Sequence, residues 1–499
     1  MKAARQQGIG EQLDLFDEAL KAVLGLDPGM RHGGPGLGGS EARPCEEPQA
    51  ETAWQRERAL TRGLMERIAS SANLNQAYKR VKANRGAPGV DGMTVDDLRS
   101  WIARNKDALV TALLDGSYQP QPVRGVEIPK PGGGKRQLGI PTVVDRLVKQ
   151  AILQVLEPLL DPSFSRSSFG FRPGRGAHTA LLRAREYVAD GHDVVVDLDL
   201  EKFFDRVNHD VLMSRLARRI GDTRLLRITR RFLAAGMMQY GVSTVRHEGT
   251  PQGGPLSPLL SNLLLDDLDK ELEGRGHRFC RYADDCNIYV RSQAAGERVM
   301  ASVTGFLESR LRLRVNRGKS AVAPVEERKF LGYRLGAGGT LGIAPRSLQR
   351  SKARLRRITK RNRAVSLGQM IGEANAYLAG WVTYFRHARS HSELRDLTPA
   401  PAKAGGWLRR KLRCVRLKQC KRPKTLWQFL RKGGVLPLQA AQLASSSRGW
   451  WCLANSPQAK IAMNIAWFDQ QGLINLTARH TALNAQGNRR GTRPVRPVV

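Results

Sequence analysis

No two cysteines of this chain are spaced as a Cys-x-x-Cys pair. The six lie at 45, 280, 286, 414, 420 and 452, which leaves neither a zinc signature nor a disulfide framework. A reducing cytoplasm is the default expectation. No apolar run approaches the roughly 20 residues that span a bilayer, and no signal peptide is recognised, so no membrane role is expected. Acidic residues are also scarce: 45 Asp and Glu stand against 82 Lys and Arg, a net charge of +37 with an isoelectric point near 10.8. Such an excess repels itself unless an anionic partner compensates, and a long nucleic acid fits best. The charge is clustered, since residues 351–432 hold 22 Lys and Arg against 3 Asp and Glu. At 499 residues and 41% hydrophobic content, the chain has room for two or three domains with proper cores.

Against this background the few clustered acids stand out. Tyr282-Ala283-Asp284-Asp285 interrupts an apolar run from Phe279 to Val290. Two β-prone segments around a short polar break read as a hairpin. Adjacent carboxylates in such a place are either a solvated turn or a site for a divalent cation, and oxygen ligands suit Mg²⁺. Upstream, the strand Val194 to Leu200 carries Asp197 and Asp199 on one face and Val196, Leu198 and Leu200 on the other. Glu201-Lys202-Phe203-Phe204-Asp205 follows directly. An acid at a strand end, facing a hairpin with two more, is the ligand set of two-metal phosphoryl transfer.

These residues resemble the motifs of reverse transcriptases. Asp199 to Asp205 resembles motif A, Gly249-Thr250-Pro251-Gln252-Gly253-Gly254-Pro255-Leu256-Ser257-Pro258 motif B, and Tyr282 to Asp285 motif C. Lys319, after Leu313-Arg314-Val315-Asn316, resembles motif D, and Phe330-Leu331-Gly332-Tyr333 motif E. Val126-Glu127-Ile128-Pro129-Lys130-Pro131, Ser168-Phe169-Gly170-Phe171-Arg172-Pro173-Gly174 and Tyr377-Leu378-Ala379-Gly380-Trp381 extend the likeness. The wording is similar to that of group II intron reverse transcriptases, or maturases, nearest the bacterial class C lineage, between about Leu64 and Leu476.

The resemblance implies an α+β fold: right-hand fingers and palm with an antiparallel palm sheet, then a basic all-α thumb and a small C-terminal helical unit. The expected divisions are a low-complexity leader over 1–58, fingers and palm over 59–340, an RNA-binding thumb over 345–440, and a DNA-binding-like unit with a flexible basic tail from Ala478 over 441–499. Leu60 to Val81 is expected to be helical, and Glu11 to Leu24 reads as either disordered leader or one amphipathic helix.

By the same resemblance, Asp199, Asp284 and Asp285 hold two Mg²⁺ ions, with the Leu200 carbonyl as a further ligand. Phe204 underlies the sugar and favours deoxynucleotides, though a core aromatic is equally compatible. Gln252 meets the incoming nucleotide. Lys319 neutralises pyrophosphate or is simply solvated. Lys130 and Arg136 flank a glycine-rich turn suited to a triphosphate. Arg409, Arg410, Lys411, Arg413, Lys418, Lys421, Arg422 and Lys424 are candidates for an RNA-binding face. The partners implied are the intron RNA, an RNA template with a DNA primer, deoxynucleoside triphosphates and target DNA.

The expected activity is RNA-directed DNA polymerisation coupled to intron binding, splicing and retrohoming. A splicing factor without polymerase activity is a second reading, opposed by the presence of all three acids. A diversity-generating or retron enzyme is a third, opposed by Pro251-Gln252-Gly253 and the basic block after motif E. Nothing after Cys452 resembles the His-Asn-His endonuclease module of many relatives, so no second-strand cleavage is expected.

Overall fold

The computed structural model describes residues 61–129, 133–239, 242–244, 248–250, 253–389 and 406–491. The leader over 1–58, Lys130 and Gln252 lie outside the described residues. The chain divides into two compact units. One comprises Met1–Gly176, Val196–Ile288 and Ala294–Val322; the other comprises Ala177–Val195, Tyr289–Gln293 and Ala323–Val499.

The first unit opens on two helices, α1 (Leu64–Ala69) and α2 (Ser71–Asn84), where the sequence suggested one. Ser70 makes the break: it sits in extended geometry and its hydroxyl accepts from the Asn73 amide, which caps α2. Helix α3 (Leu98–Leu114) leads to the hairpin β1 (Val123–Pro129) and β2 (Lys135–Ile140), paired antiparallel with Ile128 opposite Arg136. Helix α4 (Val143–Leu160) follows, started by Thr142, whose hydroxyl accepts from the Asp145 amide. Two short strands, β4 (Met237–Gln239) and β5 (Val242–Thr244), complete a sheet of order β2-β1-β4-β5, in which β1 and β4 are parallel.

A second sheet has the order β6-β7-β3-β8, from β6 (Arg278–Tyr282), β7 (Asp285–Val290), β3 (Val194–Leu198) and β8 (Ala321–Pro324). Within the first unit, helix α5 (Ser257–Gly274) is buried almost all round: Leu259, Leu260, Leu263, Leu264, Leu265, Leu268 and Leu272 are all under 5% exposed. Asn262, Asp266 and Asp269 are buried with them at 1% or less, so each needs a polar partner.

The second unit contains a three-stranded sheet, β11-β10-β9 (Thr340–Ile343, Tyr333–Gly336, Lys329–Phe330), and then, among the described residues, only helices. The longest is Leu367–Tyr384, and the basic helices Trp407–Gln419 and Pro423–Lys432 follow. A helix runs over Leu476–Gly491, and the rest of the expected tail lies outside the described residues. Its anchor is Leu476, fully buried at the first turn, with His480 buried one turn on. No described helix is long and apolar enough to cross a membrane.

Candidate active site

The sheet order places β3 beside β7, and the first unit holds both chain segments that carry the acids. Asp199 directly follows β3. Its backbone is fixed from the far side of the motif by Asn316 and Ser320: the Asn316 amide donates to the Asp199 carbonyl at 2.8 Å, and the Asp199 amide donates to Ser320 Oγ at 3.0 Å. Leu200 forms a bridge with Val315 and is buried. These bonds leave the Asp199 carboxylate to point elsewhere. Its Oδ2 is buried, accepts no hydrogen bond among the described residues, and has Lys319 Nζ at 3.3 Å.

Asp284 lies on the turn between β6 and β7, and Asp285 begins β7; both are half-buried. Burial pushes the Asp284 carboxyl above its ordinary range, and the Asp199 charge adds to the effect, while Arg136 and Arg281 pull it back. Asp199, Asp284 and Arg136 therefore share one electrostatic neighbourhood. Neighbouring carboxylates, one of them with a buried oxygen that accepts no hydrogen bond among the described residues and has the Lys319 ammonium near it, form a donor set suited to a hard cation. Among the described residues no three His, Cys, Asp or Glu side chains converge as a metal cluster, and Asp199 is instead held by Lys319.

A pocket of 440 Å³ is lined by Phe204, Phe171, Gln150, Gly253, Gly254 and Pro255, among others, and the Phe171 ring lies 6.2 Å from that of Tyr282 on the acidic turn. Phe204 lies in a single 3-10 turn, Phe203–Asp205, with its ring 5.1 Å edge-on from that of the buried Phe203. The turn is sewn to the start of the motif B loop, because the Thr250 amide donates to the Phe204 carbonyl at 2.7 Å. Gly249 permits this approach: its φ is +88°, and a Cβ there would sit 2.9 Å from the Phe204 and Asp205 carbonyl oxygens.

In the second unit the candidate basic face divides. Lys418, Lys421, Arg422 and Lys424 are exposed. Arg409 and Arg413 are not, at 5% and 3% exposure, which removes them from the surface that the sequence suggested. Both occupy the inner side of an amphipathic helix, where Leu408, Leu412 and Val415 also lie. Arg413 donates to the Met463 carbonyl at 3.0 Å, and desolvation lowers it to about 10. Arg410 and Lys411 stack over Trp451, at 4.0 and 4.9 Å from its ring centre.

Two participants escaped the sequence reading. Ser320 binds Asp199 across 121 positions, a distance at which no local pattern gives notice. Arg281 is buried at 1% exposure immediately before Tyr282. A lone cation inside the apolar run Phe279 to Val290 was the signal available for it.

Comparison with known proteins agrees with this arrangement. Residues 128–335 match the family described as reverse transcriptase (RNA-dependent DNA polymerase), and residues 348–434 match the group II intron maturase-specific domain. Protein YkfC of Escherichia coli K12 is 34% identical over 313 residues, covering 54% of this chain and 82% of that protein. The group II intron-encoded protein LtrA of Lactococcus lactis subsp. cremoris is 36% identical over 195 residues, which covers 39% of this chain and 32% of LtrA. An uncharacterized 91 kDa protein in the cob intron of Schizosaccharomyces pombe is 33% identical over 210 residues, covering 41% of this chain and 25% of that protein. With a right-hand polymerase domain ahead of an intron maturase domain, the chain belongs to the group II intron reverse transcriptases.

Proposed function

We propose that this chain copies RNA into DNA at the site formed by Asp199, Asp284 and Asp285, and that it binds its own intron RNA to assist splicing and retrohoming. The observation that carries the reading is that Asp199 and the Asp284–Asp285 pair lie at the ends of neighbouring strands, close enough for the Asp199 charge to raise the Asp284 carboxyl. Asp199, Asp284 and Asp285, with the Leu200 carbonyl, would hold two Mg²⁺ ions, which when bound would supply activation of a primer 3′-hydroxyl and stabilisation of the leaving pyrophosphate. The protein's own groups do the rest. Arg136 and Lys130 neutralise the triphosphate, Phe204 closes the floor of the pocket against a ribose 2′-hydroxyl, and Gln252 orients the base. Lys319 exchanges its pairing with Asp199 for contact with pyrophosphate.

The maturase domain supplies the RNA grip. Exposed Lys418, Lys421, Arg422 and Lys424 suit a phosphate backbone read by shape rather than sequence. Residues 59–340 serve polymerisation in this scheme, 345–440 intron binding, and 441–499 target DNA.

The test is primer extension on an RNA template with deoxynucleotides and Mg²⁺, with wild type beside Asp284→Asn/Asp285→Asn. Complementary DNA from the wild type alone supports the reading. Failure of both proteins, with salt-sensitive intron RNA binding intact, reduces it to a splicing factor that does not polymerise.

A further inference from the structure

Arg281 is a fully buried cation one residue before the acidic turn, and its five N–H donors are all used. Nε donates to Asp269 Oδ1 at 2.7 Å and Nη2 to Asp269 Oδ2 at 2.5 Å, a bidentate pair. Nη2 also donates to Ser168 Oγ at 2.8 Å. Nη1 donates to Asn262 Oδ1 at 3.0 Å and to the Ala283 carbonyl at 2.9 Å. Asp269 is 0% exposed and Asn262 1% exposed. They stand seven residues apart on the Ser257–Gly274 helix, two turns on one face.

The Ala283 carbonyl is the informative partner. Ala283 has φ +60°, a left-handed conformation that a residue with a Cβ adopts only when its surroundings impose it. Two features accompany it. On one side Gly170 approaches so closely that a Cβ on it would lie 2.4 Å from the Ala283 amide nitrogen. On the other, Arg281 grips the carbonyl. The strand leading into the turn is fixed as well, since the Arg281 amide donates to the Ser167 carbonyl at 2.9 Å and the Phe169 amide to the Arg281 carbonyl at 2.8 Å.

A buried ion pair is poor evidence for stability, because well-packed apolar residues generally do as well in its place. What apolar residues cannot do is hold a carbonyl by hydrogen bonding. We infer that Arg281, oriented by Asp269, Asn262 and Ser168, is a positioning residue that fixes the Tyr282–Asp285 turn so that its two carboxylates meet Asp199 in register. The inference rests on the polymerase reading above and adds to it a device that sets the affinity of the site for its divalent ions.

The experiment compares wild type, Arg281→Met/Asp269→Leu and Arg281→Lys. The double variant removes both charges together and so leaves no unpaired charge in the core. Arg281→Lys keeps a cation opposite Asp269 but lacks the fork that reaches Ala283. Each is measured for melting temperature, affinity for an RNA–DNA duplex, kcat in primer extension, and the Mg²⁺ concentration that gives half-maximal rate. Both variants are expected to melt below the wild type, because buried acceptors lose their donor, but to remain folded at the assay temperature and bind duplex as it does, while half-saturating Mg²⁺ rises by about 10-fold, as for loss of groups that orient metal ligands, and kcat falls. A wild-type Mg²⁺ titration in either folded variant overturns the inference and leaves the pair as a packing feature. No extension by wild type overturns the polymerase reading and the inference with it. If the double variant fails to fold, Arg281→Lys decides on the same readouts.

Discussion

A Cβ built on Gly170 would lie 2.4 Å from the backbone nitrogen of Ala283. The colliding atom is main chain, so relief requires the Tyr282–Asp285 turn itself to move. Gly170→Ala is therefore expected to lower kcat by about 10²-fold, the scale of a misplacement of about 1 Å at a reacting centre, while intron RNA binding is preserved. Gly176→Ala is the control, because a Cβ there meets nothing within 4 Å. Steady-state primer extension and RNA filter binding on both variants check the difference; equal rates would refute it.

Lys319 Nζ and Asp199 Oδ2, 3.3 Å apart, give a second prediction. The lysine side chain is 71% exposed, and an exposed pair of this kind contributes little to stability. Lys319→Met is thus expected to leave the melting temperature unchanged. If the ammonium serves the leaving pyrophosphate, kcat falls by about 10²-fold, the lower range for general acid catalysis. Stopped-flow single-nucleotide addition separates this step from product release. An unchanged rate would make Lys319 a solvated side chain and nothing more.

How far these residues could be read from sequence depends on the length scale of the signal. The strand over 194–198 and the hairpin around Asp284 were legible because a short β-branched apolar run and a polar break between apolar runs are local patterns. The division at Ser70 was not, because a helical stripe continues across it and only the cap reveals the stop. The Ser320 contact with Asp199 was invisible, since it joins segments 121 positions apart. Arg409 and Arg413 were misplaced because a cluster of positive charge does not tell which side of a helix faces the core. Their neighbours Leu408 and Leu412 held that information, one position away in each case.

That distinction leads to a third prediction. Converting exposed Lys418, Lys421, Arg422 and Lys424 to Gln is expected to weaken intron RNA binding across all sequences. The slope of log K against log salt should fall by about 3, near 0.7 for each lost phosphate contact on a single strand. Arg413→Ala should instead act on folding. It strips the Met463 carbonyl of its buried donor, a loss of about 1–3 kcal/mol, and lowers the melting temperature while the salt slope remains. Salt titrations and thermal melts of the two variants should therefore give opposite patterns. A changed salt slope in Arg413→Ala would return that residue to the RNA face.

The last prediction concerns Lys149, which is buried at 5% exposure in the first unit. Its ammonium lies 4.5 Å from the centre of the Phe232 ring. Desolvation depresses it from an ordinary 10.5 to about 8, against the opposing pull of Asp145. The carboxyl of Asp145, raised by its own burial, is also bound by Tyr118 and Thr142. Between pH 8 and 10.5 the unfolded chain holds a proton on Lys149 that the folded chain has released. Stability attributable to this residue therefore rises with pH across that window, and the full penalty of burying the charge is present below it. The gap corresponds to roughly 3 kcal/mol. Lys149→Met is expected to lack this rise, so its melting temperature minus that of the wild type should be largest near pH 7 and shrink towards pH 10.5. The other lysines and tyrosines titrate in both proteins and cancel in that difference, as does the repulsion among the surface charges. Calorimetric melts at matched ionic strength measure it. Parallel curves would mean that Lys149 keeps its proton in the fold, stabilised by Asp145 and the Phe232 ring more strongly than burial disfavours it.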